Sequence, residues 1–100
     1  MLKDFFQAFL STKEKTETEL EVLEQEIPKR EIILFNDDVN TFDFVIDSLI
    51  EVCEHSPEQA EQCTYIVHFK GKCAVKTGSF EDLKPRCTRL LEKGLSAEIL

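Results

Sequence analysis

The sequence predicts an α+β domain: a small three-stranded antiparallel sheet packed with three helices, in the order β-α-α-β-α-β, behind a flexible N-terminal extension. Three observations lead there. Short apolar or β-branched runs bounded by polar loops recur near residues 32–35, 73–77 and 95–100. Between them lie segments whose apolar residues repeat at helical spacing behind capping residues. A charged, Thr- and Glu-rich stretch precedes the first run. One hundred residues hold one modest domain and not two. The expected division is an extension over 1–29 and a core domain over 30–100.

Leu2, Phe5, Phe6, Phe9 and Leu10 follow the i, i+3, i+4, i+7, i+8 rule, so residues 2–10 predict a short amphipathic helix. Alone it is too short to hold in water and needs something to pack on. Two readings stand: it docks on its own domain or a second copy, or it docks on a larger partner. The stretch STKEKTETELEVLEQEIPKR then reads as a solvated linker with partial helix, closed by Pro28.

Ile32–Phe35 is a short, fully apolar run suited to a buried strand. Residues 36–40 form a loop. Thr41 or Asn40 caps a helix whose Phe42, Val45, Ile46, Leu49, Val52 and Cys53 share a face. Ser56-Pro57-Glu58-Gln59 starts a second helix: Ser56 caps, Pro57 takes the first helical position, and Gln59 can close a capping box. It runs through Ala60, Cys63, Ile66 and Val67 and ends near Gly71. Cys73–Thr77 reads as a strand. Ser79 opens a third helix with Leu83, Cys87, Leu90 and Leu91 on one face and Gly94 as its stop. Pro85 either kinks that helix or marks its true start. Leu95–Leu100 reads as the closing strand.

The net charge of −8 argues against a nucleic-acid partner, which needs a basic footprint. Residues 1–30 carry 5 basic and 7 acidic side chains and residues 31–100 carry 7 and 13, so the core holds most of the excess. No apolar run approaches the roughly 18–20 residues of a membrane helix, and the first residues lack a signal-peptide pattern. Cys53, Cys63, Cys73 and Cys87 are too widely spaced for CxxC pairs. They read as reduced thiols of a cytoplasmic protein, with no zinc site, disulfide framework or cofactor expected.

The stretch FNDDVNTFDFVID places Asn36, Asp37 and Asp38 between a strand and a helix. Turn chemistry explains such composition, since these side chains bond their own backbone. Thr64 and His68, four apart, share a face of the second helix. If that face meets the 36–42 loop, Asn36, Asp38 and His68 converge and offer acceptors and a negative charge to an ammonium group. Asp38, His68 and a cysteine also make the ingredients of a nucleophile–base–orienter set. No cysteine has a Gly-rich oxyanion loop beside it, and only three glycines exist, so an enzyme is not expected.

LFNDD, then TFDFVID, then a helix ending in VHFKGKC, resembles the ClpS adaptor family, the bacterial N-degron (N-end rule) recognition proteins. The resemblance covers roughly residues 30–100 and runs without gaps from Leu34 to Lys72. It implies a fold shared with the C-terminal domain of the ribosomal stalk protein. It also implies an adaptor that binds the free α-amino group and bulky hydrophobic side chain of a substrate's first residue. The implied partner is a ClpA-type AAA+ unfoldase of a Clp protease such as ClpAP. By motif position, Asn36, Asp38 and His68 correspond to amine-binding residues, and Asp37 either faces solvent or caps the turn. Phe42, Val45, Thr64 and Val67 correspond to the side-chain pocket, and Asn40 to a flanking polar position.

Two positions depart from the family pattern, which usually has Met where this chain has Phe42 and Thr64. Phe42 is stiffer and larger. Thr64 is smaller and β-branched, and is expected to enlarge one wall, offer a hydroxyl and admit β-branched first residues. LSAEIL is too divergent to place the family's last pocket residue. Residues 11–30 suit the polar tail that the unfoldase grips in this family. The alternative function is a non-delivering protein–protein interaction module with the stalk-like fold and a vestigial or retuned pocket; an independent cysteine hydrolase is a more distant one.

Overall fold

The computed structural model describes residues 28–100; the amphipathic segment expected over 2–10 and linker residues 11–27 lie outside them. Six elements follow in the expected order: β1 (Arg30–Phe35), α1 (Phe42–Cys53), α2 (Pro57–Lys70), β2 (Lys72–Gly78), α3 (Phe80–Glu92) and β3 (Ser96–Ile99). β1 is the middle strand, antiparallel to β2 on one edge and to β3 on the other. Its composition suits that place. Ile32, Ile33 and Leu34 are all buried, and a run with no polar interruption belongs where neither edge meets water.

The β1–β2 ladder carries one irregularity. Ile32 pairs with Lys76 and Ile33 with Ala74, so Val75 is an extra residue in β2. Such a bulge strips a residue of ladder partners, and a buried carbonyl must find another donor. The Val75 carbonyl finds Nε2 of His55, a buried side chain in the link between α1 and α2. A carbonyl only accepts, so Nε2 carries the proton. The histidine that the sequence left without a role therefore closes the ladder's gap.

All three helices start where capping chemistry predicts. Thr41, Ser56 and Ser79 accept from the backbone N–H groups of Phe44, Gln59 and Asp82 respectively. Pro57 occupies the first position of α2, where its missing N–H costs nothing. α3 runs unbroken from Phe80 through Pro85, which decides between the two readings of that proline: the helix does not begin there. Gly71 ends α2 with φ 93°, a left-handed conformation that glycine takes without Cβ strain.

The helices bury Leu49, Val52, Cys53, Ala60, Val67, Leu83, Cys87 and Leu90 against Ile32, Leu34 and Val75 of the sheet. Three residues assigned to apolar faces do not belong to the core: Phe42 is half-buried, Ile66 is 36% exposed and Leu91 51% exposed. In α2, Thr64 takes a core place instead. Arg86 of α3 donates to the carbonyl of Val52 at 2.8 Å, satisfying a C-terminal carbonyl of α1 and locking the two helices together.

Candidate functional site

The C-terminal end of β1, the loop after it, the start of α1 and one face of α2 surround a cavity of about 250 Å³. Its position follows from local folding. β1 ends at Phe35, and the backbone N–H of Asn36 donates to the carbonyl of Gly71 at 2.9 Å. That bond joins the loop's first residue to the C-cap of α2, one turn beyond His68. Thr64, Val67 and His68 stand at i, i+3 and i+4 on α2 and so line one face. Phe42 and Val45, three apart at the start of α1, form the opposite wall.

The cavity brings together all eight residues singled out in the sequence: Asn36, Asp38, Asn40, Phe42, Val45, Thr64, Val67 and His68. Of the polar members, Asn36, Asp38 and Asn40 come from the loop after β1, and Thr64 and His68 from α2. Asn36, Asp38 and His68 are exposed, and no hydrogen bond or ion pair among the described residues occupies their side chains. Of the apolar members Val67 is buried and Phe42 and Val45 are half-buried. The arrangement presents a carboxylate, an amide and an imidazole over an apolar chamber. Chemically it can hold a cationic donor group attached to a hydrophobic body.

Asp37 takes the turn-capping role. Its Oδ1 accepts from the N–H groups of Val39 and Asn40, both at 2.9 Å, and its Oδ2 accepts from the Asn40 side chain at 2.9 Å. Partial burial pushes this carboxyl up, but the donors of Asn40 and Val39 together outweigh it and hold the pKa below its ordinary value. A folded-state pKa below the unfolded one adds stability above the unfolded value, about 3.9, that is lost as pH falls through the folded value. Asp37→Asn is therefore expected to lower the thermal midpoint near neutral pH, by an amount that shrinks below about pH 4. A midpoint difference that persists unchanged at about pH 2.5 would contradict this account.

Asn40 extends the scaffold. Its Nδ2 also donates to the carbonyl of Gly94 at 3.0 Å, across 54 residues of sequence. Gly94 turns the chain with φ 89°, and the next residue, Leu95, is buried and lines the cavity. Leu95 thus joins the cavity lining from the segment LSAEIL, in which no pocket residue could be placed from the sequence. The pairing of Phe35 with Ser96 and of Leu34 with Ala97 carries it to the end of β1. Leu34, Phe35, Asp37 and Thr41 also line the cavity, as chain neighbours of the loop.

Thr64 corrects an expectation. Its hydroxyl donates to the carbonyl of Ala60 at 2.7 Å, within a residue only 3% exposed. The proton expected to be on offer to a ligand is spent on its own helix, as threonines in helices commonly do. The wall at Thr64 is short and β-branched, with its donor already used.

Cys53, Cys63 and Cys87 lack the lowered pKa of an activated nucleophile. All four cysteines are free. Burial pushes the Cys53 thiol up to about 11. Cys63 also rises to about 11, through burial and then the neighbouring Cys73 thiol. Burial, with Glu98 nearby, raises Cys87 too. A thiol held protonated at neutral pH is a poor attacking group. Among the described residues, no group of three or more His, Cys, Asp or Glu side chains is placed to hold a metal ion. Nor is any described helix long and apolar enough to cross a membrane.

Comparison with known proteins places this chain in a family. A family model described as ATP-dependent Clp protease adaptor protein ClpS matches residues 25–98. The ClpS adapter of Oleidesulfovibrio alaskensis is 36% identical over 77 residues, 75% of this chain and 74% of that protein. The ClpS adapter of Helicobacter hepaticus is 32% identical over 79 residues, 77% and 80% of the two chains. That of Nitratidesulfovibrio vulgaris is 38% identical over 55 residues, and this match spans 53% of the chain and about half, 55%, of the relative. In three dimensions the chain resembles Agrobacterium tumefaciens ClpS2, solved bound to L-phenylalaninamide, with a TM-score of 0.71 at 18% identity, over 74% of this chain and 96% of that one.

Proposed function

The chain belongs to the ClpS adaptor family of the Clp protease, and from that premise we propose that it binds the free N-terminal residue of substrate proteins and delivers them to a ClpA-type AAA+ unfoldase in the cytoplasm. The observation that carries the reading is the convergence of Asn36, Asp38 and His68 at the mouth of an apolar cavity walled by Phe42, Val45, Thr64, Val67 and Leu95. An N-terminal ammonium has three donors and one charge, and charge-assisted bonds to acceptors are the strong kind. Capture of an N-terminal amine is an established mode of peptide recognition. The cavity, at about 250 Å³, is smaller than the usual drug-sized site of about 300–1,000 Å³ and suits a single side chain. L-phenylalaninamide, the ligand of the Agrobacterium neighbour, has this form: a free α-amino group beside one hydrophobic side chain.

The direct test is binding of a short peptide beginning with phenylalanine, beside the same peptide acetylated at its N-terminus. Selection among first residues then depends on the two departures from the family pattern. A short β-branched wall at Thr64 enlarges that side of the cavity relative to the family's usual Met, so Ile-first and Leu-first peptides are expected to bind within a few-fold of each other. Strict exclusion of the Ile-first peptide in the same titration would remove this part of the reading.

Delivery is assigned to the extension, residues 1–29, and binding to the core, residues 30–100. Deleting residues 1–26 is expected to abolish degradation of a Phe-first reporter by the unfoldase–protease pair while leaving peptide affinity intact. Simultaneous loss of affinity would argue against this division of labour. Peptide binding without any delivery by the full chain would favour a non-delivering interaction module.

A further inference from the structure

Phe42 lines the cavity, and one of its two ring contacts comes from outside the lining. Tyr65 is not among the cavity-lining residues, yet its ring centre lies 5.3 Å from that of Phe42 at an interplanar angle of 84°. The ring of His68 meets Phe42 from its own position at 5.0 Å and 73°. Phe69 closes the circuit, stacked on Tyr65 at 6.2 Å and 5° and edge-on to His68 at 5.0 Å and 79°. Four rings thus form a loop at the mouth of the cavity. Tyr65, His68 and Phe69 come from one face of α2, at i, i+3 and i+4, and Phe42 is the first residue of α1.

Edge-to-face ring pairs are favourable in these geometries beyond the area they bury. Tyr65 and Phe69 are 45% and 75% exposed, so they contribute little to the core. Packing of the domain does not account for two large stacked aromatics in water. Their contacts on the two rings at the cavity mouth do.

We propose that Tyr65 is a positioning residue for first-residue selection: it fixes the Phe42 ring, and with it the shape of the cavity mouth, without touching the bound side chain. This rests on the reading that the cavity receives an N-terminal residue. A phenylalanine at a cavity mouth can otherwise sample several side-chain rotamers. Contact from Tyr65 on one side and His68 on another retains one of them. A wall already in place spares the ligand the cost of ordering it and rejects the wrong shape by clash.

The test measures dissociation constants for Phe-first, Leu-first and Trp-first peptides against the full chain and against Tyr65→Ala, Tyr65→Phe, Phe42→Ala and the Phe42→Ala/Tyr65→Ala pair. Tyr65→Ala is expected to weaken Phe-first binding about two- to ten-fold, the worth of one aromatic pair, and to narrow the spread among the three peptides. Tyr65→Phe restores both, because the ring and not the hydroxyl makes the contact. In the Phe42→Ala background, Tyr65→Ala changes nothing further. The thermal midpoint of Tyr65→Ala stays near that of the unaltered chain, separating this effect from unfolding. An equal loss in both backgrounds means that Tyr65 touches the peptide itself and overturns the proposal. An unchanged spread in Tyr65→Ala overturns it as well. Failure of the unaltered chain to bind any free-amine peptide removes the binding reading, and this inference with it.

Discussion

A Phe-first peptide is expected to bind this chain, and its N-acetylated twin to bind at least about 100-fold more weakly. Acetylation removes the positive charge and two of the three donors, and it adds bulk where Asn36, Asp38 and His68 meet. Once the ligand's body covers the mouth, those acceptors lose part of their water. A buried acceptor left unpaired costs roughly 1–3 kcal/mol, and a hydrogen bond to a charged group is worth about 1.5–3 kcal/mol. Two such losses give on the order of 3–6 kcal/mol, or about 10² to 10⁴ in affinity. The lower end is the safer figure, because the three polar side chains are exposed in the free chain and part of their hydration survives binding. Equal binding of the two peptides, measured by fluorescence anisotropy, would show that the polar trio does not recognise the amine. Asp38→Ala should reproduce most of the loss with the free-amine peptide. It should leave the acetylated peptide unaffected, since that peptide brings no charge for the carboxylate to meet.

Leu49→Ala is expected to destabilise the domain by about 2–5 kcal/mol, lowering its thermal midpoint by on the order of ten to thirty degrees. Leu49 sits in the middle of α1, is fully buried, and packs in the cluster that joins all three helices to the sheet. Truncation removes the transfer free energy of the lost methyl groups and leaves a void the neighbours fill only in part. Small domains are held by about 5–15 kcal/mol in total, so this single change consumes a large share. Leu49 does not line the cavity, and the folded fraction should therefore bind peptide as the unaltered chain does. A midpoint shift of only a few degrees would mean that the core is looser than its burial implies. Loss of affinity in the folded fraction would mean that the cavity walls depend on core packing at a distance.

Most helix boundaries were legible because their causes are local, although the structure had to choose Thr41 over Asn40 as the cap of α1 and Ser79 over Pro85 as the start of α3. Ser56 and Pro57 announce α2, Ser79 announces α3, and each cap is satisfied within three residues of itself. The hydrophobic run of β1 was legible for the same reason. Helical periodicity alone was less reliable at single positions: Ile66 fits the apolar stripe of α2 by spacing, yet Thr64 takes the buried place. A face is about a hundred degrees wide, and which residues at its margin are covered depends on the neighbour that packs there. The candidate site divides in the same way. The eight residues singled out by motif and spacing meet in one cavity, whereas Leu95 could be assigned to it only from the β1–β3 pairing.

By itself the sequence determined the element order, the Ser56 cap of α2, the acidic balance of the core and the family motif that groups Asn36, Asp38 and His68. Those features arise from contacts a few residues apart, or from residue types in a fixed register. Tertiary structure decided the rest. It committed Asp37 to the turn and the Thr64 hydroxyl to its own helix. It used His55 to close the bulge at Val75, brought Leu95 to the cavity through the Gly94 turn, and set Tyr65 against Phe42. The physical reason is common to the last three. Each depends on two segments distant in the chain arriving at a particular register, and register follows from the packing of the whole domain.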